Sequence, residues 1–190
     1  MSGRLLHQAL ADLIASDGAR MIALKAVRSL TLRDCWIGAG FVRNAVWDHL
    51  HGYPASLIGK DVDVLWFDPA LTDPDIDRAV EERLARLAPG LCWSVKNQAR
   101  MHLRNGDAPY RSVADAMRFW PEIATAVAVR LTDSDEIEIN APLGLDDLFA
   151  LRITPTQSFA ARKRPVFDER VSAKGWLRRY PKLQLGEGAA

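Results

Sequence analysis

Apolar residues recur at helical spacing near the start of the chain. Leu6, Leu10, Leu13 and Ile14 form one stripe, and Met21, Leu24 and Val27 a second. That period predicts helix over residues 4–28, and Asp17-Gly18 predicts a break within it. The pattern then changes. A short apolar run ends at Ile37, Gly38 and Gly40 mark a turn, and Val42, Val46 and Leu50 recur every fourth residue. Residues 36–68 therefore read as strand, Gly-rich turn, helix, loop and second strand. In the second strand, alternation puts Asp61 and Asp63 on one face and Val62, Val64 and Trp66 on the other. The intervening residues 51–60 hold Gly52, Pro54 and Gly59, an irregular loop expected to close over a substrate.

Further along, Ile76, Val80, Leu84 and Leu87 predict an amphipathic helix that starts at Asp73-Pro74 and stops at Pro89-Gly90. Residues 91–103 alternate throughout and predict one long strand. Its many polar groups suit a sheet edge. Ser112 to Asp115 is an N-cap sequence for a short helix, and Phe119 and Trp120 are assigned to the core. Residues 125–131 and 136–140 alternate on either side of Thr-Asp-Ser-Asp and predict a hairpin. A short helix over 145–151, a loop over 154–164 and a last helix over 168–179 complete the chain. The expected fold class is α+β: a mixed, strongly twisted sheet backed by helices, in one domain spanning residues 1–190.

Composition changes this picture little. The chain is 48% hydrophobic and 26% charged with a formal net charge of +1, ordinary for a soluble globular protein. No global field draws nucleic acid. The basic residues are uneven, however. Residues 161–182 carry eight Lys or Arg against Asp168 and Glu169, a net of +6, so the remainder carries −5. The two cysteines, Cys35 and Cys92, stand apart without a C-x-x-C pattern, which suits the cytoplasm. No run is apolar enough for a membrane span.

The chemistry concentrates in residues 38–63. Two carboxylates on one strand face repel each other and are costly to bury unpaired. A divalent cation such as Mg²⁺ removes both objections and takes carboxylate and phosphate oxygens together. The turn that opens a helix presents free N–H groups at the positive end of the helix dipole, which suits phosphate. A phosphate cradle followed by a metal-binding D-x-D points to phosphoryl-group chemistry with two metals. A Rossmann dinucleotide site is the rival reading. It requires G-x-G-x-x-G, but Arg43 occupies the third glycine position, and its acid would be Asp68, leaving Asp61 and Asp63 without a purpose.

Gly38-Ala39-Gly40-Phe41-Val42-Arg43-Asn44 followed by Asp61-Val62-Asp63 resembles the head motif of the DNA polymerase beta-like nucleotidyltransferase superfamily. The nearest form is the G-G-x-V-R-D of bacterial tRNA CCA-adding enzymes and poly(A) polymerases. Asn44 stands where that form has Asp, and Ala39 where it has Gly or Ser. Through VRNAVWD, DVDV, VKNQARMH, APLGLDDLF and the terminal K-x-W…P, the chain also resembles a small bacterial nucleotidyltransferase family of unknown acceptor. The resemblance implies a nucleotidyltransferase fold with its active cleft on the open sheet face. It implies that Gly38, Ala39 and Gly40, with Arg43 and Asn44, hold an NTP, and that Asp61 and Asp63 bind two Mg²⁺ ions. It also implies a third carboxylate from a later strand; Ile137-Glu138-Ile139-Asn140 has the matching form, so Glu138 is the expected third acid. It turns Asn97, Gln98, Arg100 and His102 towards the cleft. The implied partners are an NTP and an unknown acceptor, a small molecule or protein rather than a large RNA, since the long helical region of CCA-adding enzymes is missing. Two alternatives stand: an inactive nucleotide-binding module, and an RNA binder that uses the basic helix over 165–182.

Overall fold

The computed structural model describes residues 3–54 and 61–188. Most of the loop expected to close over substrate, residues 55–60, lies outside the described residues. The first helical stretch is two helices, α1 (Gly3–Ala15) and α2 (Gly18–Arg28). Asp17 caps α2 by accepting from Arg20 N at 3.0 Å, which satisfies one orphan donor of the first turn. Then follow β1 (Trp36–Gly38), α3 (Gly40–His51), β2 (Asp61–Trp66), α4 (Pro74–Leu87) and β3 (Cys92–Asn97). The remaining elements are α5 (Met101–Asn105), α6 (Val113–Met117), β4 (Ala128–Leu131), β5 (Ile137–Asn140), α7 (Asp146–Phe149), β6 (Arg152–Ile153), α8 (Gln157–Ala160), α9 (Arg164–Lys174), α10 (Trp176–Arg179) and β7 (Gln184–Leu185).

Five strands form a mixed sheet in the order β3-β2-β1-β4-β5. Within this sheet β2 and β3 run parallel, because α4 carries the chain back between them, and the β1–β2, β1–β4 and β4–β5 pairs are antiparallel. The hairpin joining β4 and β5 forms as its alternation predicts. Val62, Val64, Trp66, Ile37, Val95 and Val129 are buried on one face, in one cluster with residues of α1 to α4. The opposite face is covered only in part, by a smaller cluster in which Tyr110, Val113 and Met117 pack on Trp36 and Leu65. Asp61 and Asp63 belong to this second face by strand alternation.

The expected long strand over 91–103 ends early. The chain turns at Asn97 into a 3₁₀ turn (Gln98–Arg100) and then α5. Asn97 causes the turn. Its Oδ1 accepts from Ala99 N at 3.0 Å, and its Nδ2 donates to the carbonyls of Asp68 at 2.8 Å and Leu71 at 2.7 Å. A side chain that satisfies the backbone locally competes with the ladder and ends it. The last helical stretch is also divided, at Gly175 with φ 59°, a left-handed conformation open to glycine.

Candidate active site

β1, the turn and α3 deliver the centre of the site. Gly38 pairs with Asp63 across the antiparallel β1–β2 ladder, so the turn sits beside the second carboxylate. Gly38 admits no side chain: a Cβ there would lie 2.9 Å from Leu65 Cδ1 and 3.1 Å from the Val127 carbonyl oxygen. Ala39 has φ 53° and ψ −123°, a conformation that costs an L-residue roughly 1–3 kcal/mol. Its N–H donates to the Val127 carbonyl at 3.1 Å and its carbonyl accepts from Arg43 N at 2.9 Å. The turn is therefore fixed at both ends. The strain predicts that Ala39→Gly raises stability by about 1 kcal/mol, or about 2–4 °C in melting temperature for a chain of this size. Thermal denaturation of the two proteins checks this.

The N–H groups of the first turn of α3, at Gly40, Phe41 and Val42, have no carbonyl a helical turn earlier to bond. They point out of the positive end of a twelve-residue helix. Next to them Asp61 is exposed and Asp63 half-buried. Burial pushes the Asp63 carboxyl above its ordinary value, and the neighbouring Asp61 charge pushes it further. Arg43, a hydrogen bond from Ser94 and the charge of Lys174 oppose the rise. The site thus sets a half-buried acid, whose ionisation the neighbouring Asp61 charge disfavours, beside the N–H donors that open α3.

Arg43 does not lie open to solvent. Its guanidinium carbon sits 5.1 Å from the Trp47 ring centre and 4.5 Å from that of Trp176. It donates to Thr125 Oγ1 at 2.9 Å and to Asn44 Oδ1 at 3.0 Å. Burial pushes its pKa down to about 10, against the opposing charge of Glu122. Arg43 thus braces the turn and orients Thr125 and Asn44 from beneath. Where direct contact with an NTP is expected of it, its Nη1 and Nη2 bond to the protein, and its Nε is buried with no hydrogen-bond partner among the described residues.

Glu138 does not join the pair. The Asp63 row of the sheet runs through Gly38 and Ala128 to Asn140. Asn140, not Glu138, is the β5 residue in that row, and three strand spacings, roughly 14 Å, separate β5 from β2. Glu138 instead accepts from Arg130 Nε at 2.7 Å, and the Arg130 guanidinium covers the Trp36 ring at 4.2 Å. Among the described residues no three His, Cys, Asp or Glu side chains cluster in a way that could hold a metal. Asn97, Gln98 and Arg100 are structural too. Gln98 donates to the Lys96 carbonyl at 3.0 Å, and Arg100 pairs with buried Asp77. His102 packs edge-on to Tyr110.

A cavity of about 530 Å³ opens beside Asp63 and Ala39. Its walls include Leu65, Trp120, Thr125, Phe159, Lys163 and Arg170. Phe119 and Trp120, expected in the core, are half-buried and line it. Val166, Arg170 and Lys174 are spaced by four and share one face of α9; the first two line the cavity and the third acts on Asp63. Two of its cations are already paired. Arg170 Nε donates to Glu122 at 2.6 Å, and Lys163 Nζ to Asp107 at 3.0 Å. Arg179 similarly lies 3.5 Å from Asp48. Glu122 and Thr125, which anchor this arrangement, carry no local sequence signal. Their roles follow only from contacts across the fold.

The chain matches a nucleotidyltransferase family model over residues 25–185. Among solved structures it is similar to a protein whose NMR structure reveals a CCA-adding enzyme head domain. The TM-score is 0.84 at 31% identity, over 94% of this chain and 95% of that one. It is also similar in fold to a CCA-adding enzyme in complex with CTP, with TM-score 0.60 and 15% identity over 96% of this chain and 43% of that one. A Thermotoga maritima CCA-adding enzyme complexed with tRNA gives TM-score 0.58 and 17% identity, over 94% and 42%. The chain thus spans less than half of those two enzymes. The comparison with curated proteins gives no match. Among the described residues no helix is long and apolar enough to cross a membrane. With its Gly-rich turn, paired aspartates and mixed sheet in the head-domain arrangement, the chain belongs to the nucleotidyltransferase family.

Proposed function

We propose that the site transfers a nucleoside monophosphate from an NTP to a hydroxyl group of a separate acceptor. The observation that carries this reading is the juxtaposition of Asp61 and Asp63 with the free N–H groups that open α3. The acceptor oxygen forms a bond to the α-phosphorus. The bond from that phosphorus to the bridging oxygen breaks, pyrophosphate leaves, and the hydroxyl proton passes to solvent. Gly40, Phe41 and Val42 N–H hold the leaving phosphates, aided by the helix dipole. Lys174, exposed and without a carboxylate partner among the described residues, acts on Asp63 and adds positive charge beside the phosphates. Thr125 accepts from Arg43 and so keeps its own hydroxyl proton to donate into the cleft.

The two aspartates fit a divalent cation. Burial and the Asp61 charge disfavour the ionised form of half-buried Asp63, and a cation between the two aspartates relieves both costs. Asp61 and Asp63 would hold Mg²⁺ with phosphate oxygens as the remaining ligands. Bound there, it would supply charge stabilisation and a more acidic acceptor hydroxyl. The complex of a CCA-adding enzyme with CTP, similar in fold, supports an NTP as donor. Calorimetry tests the reading. ATP should bind with one-to-one stoichiometry in Mg²⁺ and lose most of its affinity in EDTA, while NAD should not bind. NAD binding without ATP–Mg²⁺ binding would return the dinucleotide reading.

A further inference from the structure

We infer that the cavity between the sheet and α9 receives the acceptor, and that the acceptor is a small, uncharged compound carrying a flat ring. The inference rests on nucleotidyl transfer at Asp61 and Asp63. Direction comes first. On the open face of β2 the order is Asp61, Asp63, Leu65, each two residues apart. Because Gly38 pairs with Asp63 and Trp36 with Leu65 in an antiparallel ladder, the turn and the start of α3 lie towards Asp61. The leaving phosphates therefore sit on the Asp61 side. Displacement at phosphorus places the attacking oxygen opposite the leaving group. The opposite side is that of Leu65, and there the cavity extends: it touches Ala39 of the turn, Asp63 and Leu65 but not Asp61.

Size and chemistry come next. About 530 Å³ is the volume of a small-molecule site. Half-buried Trp120 offers a flat apolar face for a ring, and Phe159, buried with Lys163 Nζ 5.4 Å from its ring centre, backs the wall. Apart from Asp63 at its edge, the charged groups in the wall are paired before any ligand arrives. Lys163 is paired with Asp107, and Arg170 with Glu122, whose side chain is 1% exposed. An RNA strand binds by neutralising its phosphates with available cations, and this cavity offers none uncommitted among the described residues. A neutral ring finds apolar walls, with the Thr125 hydroxyl and the Asn105 amide at hand.

The probe is 2-(indol-3-yl)ethanol, a neutral ring alcohol. Its binding is followed by the NMR signal of the Trp120 indole N–H, assigned with Trp120→Phe. The probe should shift that signal equally with and without saturating ATP–Mg²⁺. Phe159→Ala should weaken it at least fivefold with ATP–Mg²⁺ affinity unchanged within twofold. Val166→Glu, at a 55% exposed position where folding is not at risk, should do the same. Displacement of the probe by ATP–Mg²⁺ would overturn the inference, because the donor's own base would then occupy the cavity. No probe-induced shift, or a shift produced only by a short RNA, would also overturn it. Failure of ATP–Mg²⁺ to bind at all is read separately in the same titration. That result would remove nucleotidyl transfer and, with it, the acceptor assignment.

Discussion

Asp63→Asn is expected to abolish Mg²⁺-dependent ATP binding and, in the same protein, to raise the melting temperature of the metal-free chain. Both effects have one cause. The folded state holds a half-buried carboxylate next to Asp61, with its pKa raised by burial first and by Asp61 second. A group whose folded pKa is raised favours the fold when protonated. That contribution is complete below the ordinary carboxyl value of 3.8 and is lost as pH rises through the raised value. At neutral pH the ionised side chain is therefore a cost in the absence of a cation, and Asn removes it. Relieving a destabilised functional site commonly yields about 0.5–2 kcal/mol, or a few degrees here. The gain should shrink as pH falls towards 4, because protonation of the wild-type group relieves the same cost. Asp61→Asn should give the same loss of ATP binding, at least about 100-fold, the upper end of what even indirect support of a metal ligand is worth. Calorimetry and thermal denaturation at pH 4 and pH 7 read both effects. ATP binding that survives both substitutions would remove the cation site.

The second large effect is expected at Arg43. It is 6% exposed, and Arg43→Ala empties the space between Trp47 and Trp176 and strips Thr125 and Asn44 of a donor. Losing a buried, hydrogen-bonded cation and its packing costs about 3–5 kcal/mol. Urea denaturation should show a fall in midpoint with little change in slope. Arg43→Met restores apolar volume between the rings without the donors. It should recover a large part of the stability yet leave ATP–Mg²⁺ affinity reduced about tenfold, because the turn and Thr125 lose their brace. Full recovery of both properties by Met would make Arg43 a packing residue only.

The legible parts of this molecule are those in which neighbours in sequence are neighbours in space. The break at Asp17-Gly18, the Gly turn, the D-x-D alternation and the hairpin all form within a few residues of chain, and their periodicity carries them. The strand over 91–103 misleads for a tertiary reason. Its alternation continues past Asn97, but the Asn97 side chain bonds the backbone of residues 68 and 71, which no local pattern reveals. Glu138 fails similarly. Its flanking isoleucines describe a strand correctly, but strand order decides which acids meet, and β1 and β4 stand between it and Asp63. The basic cluster is visible in the sequence as charge. That two of its members spend that charge on Glu122 and Asp107 across the cleft depends on pairings some fifty residues apart in sequence. Arg43 is visible as a motif residue, but its place beneath the turn follows from Trp176, far away in the chain.

The central claim is that the α-phosphorus of an NTP is the atom that moves. Two parallel reactions with Mg²⁺ and a small-molecule cell extract as acceptor test it most directly, one with ATP labelled at the α-phosphorus and one with ATP labelled at the γ-phosphorus. The α label should enter a new product, the γ label should appear only in pyrophosphate, and both signals should vanish in Asp61→Asn and Asp63→Asn. A γ label carried into the product, or released as phosphate with no α label transferred, would contradict the claim.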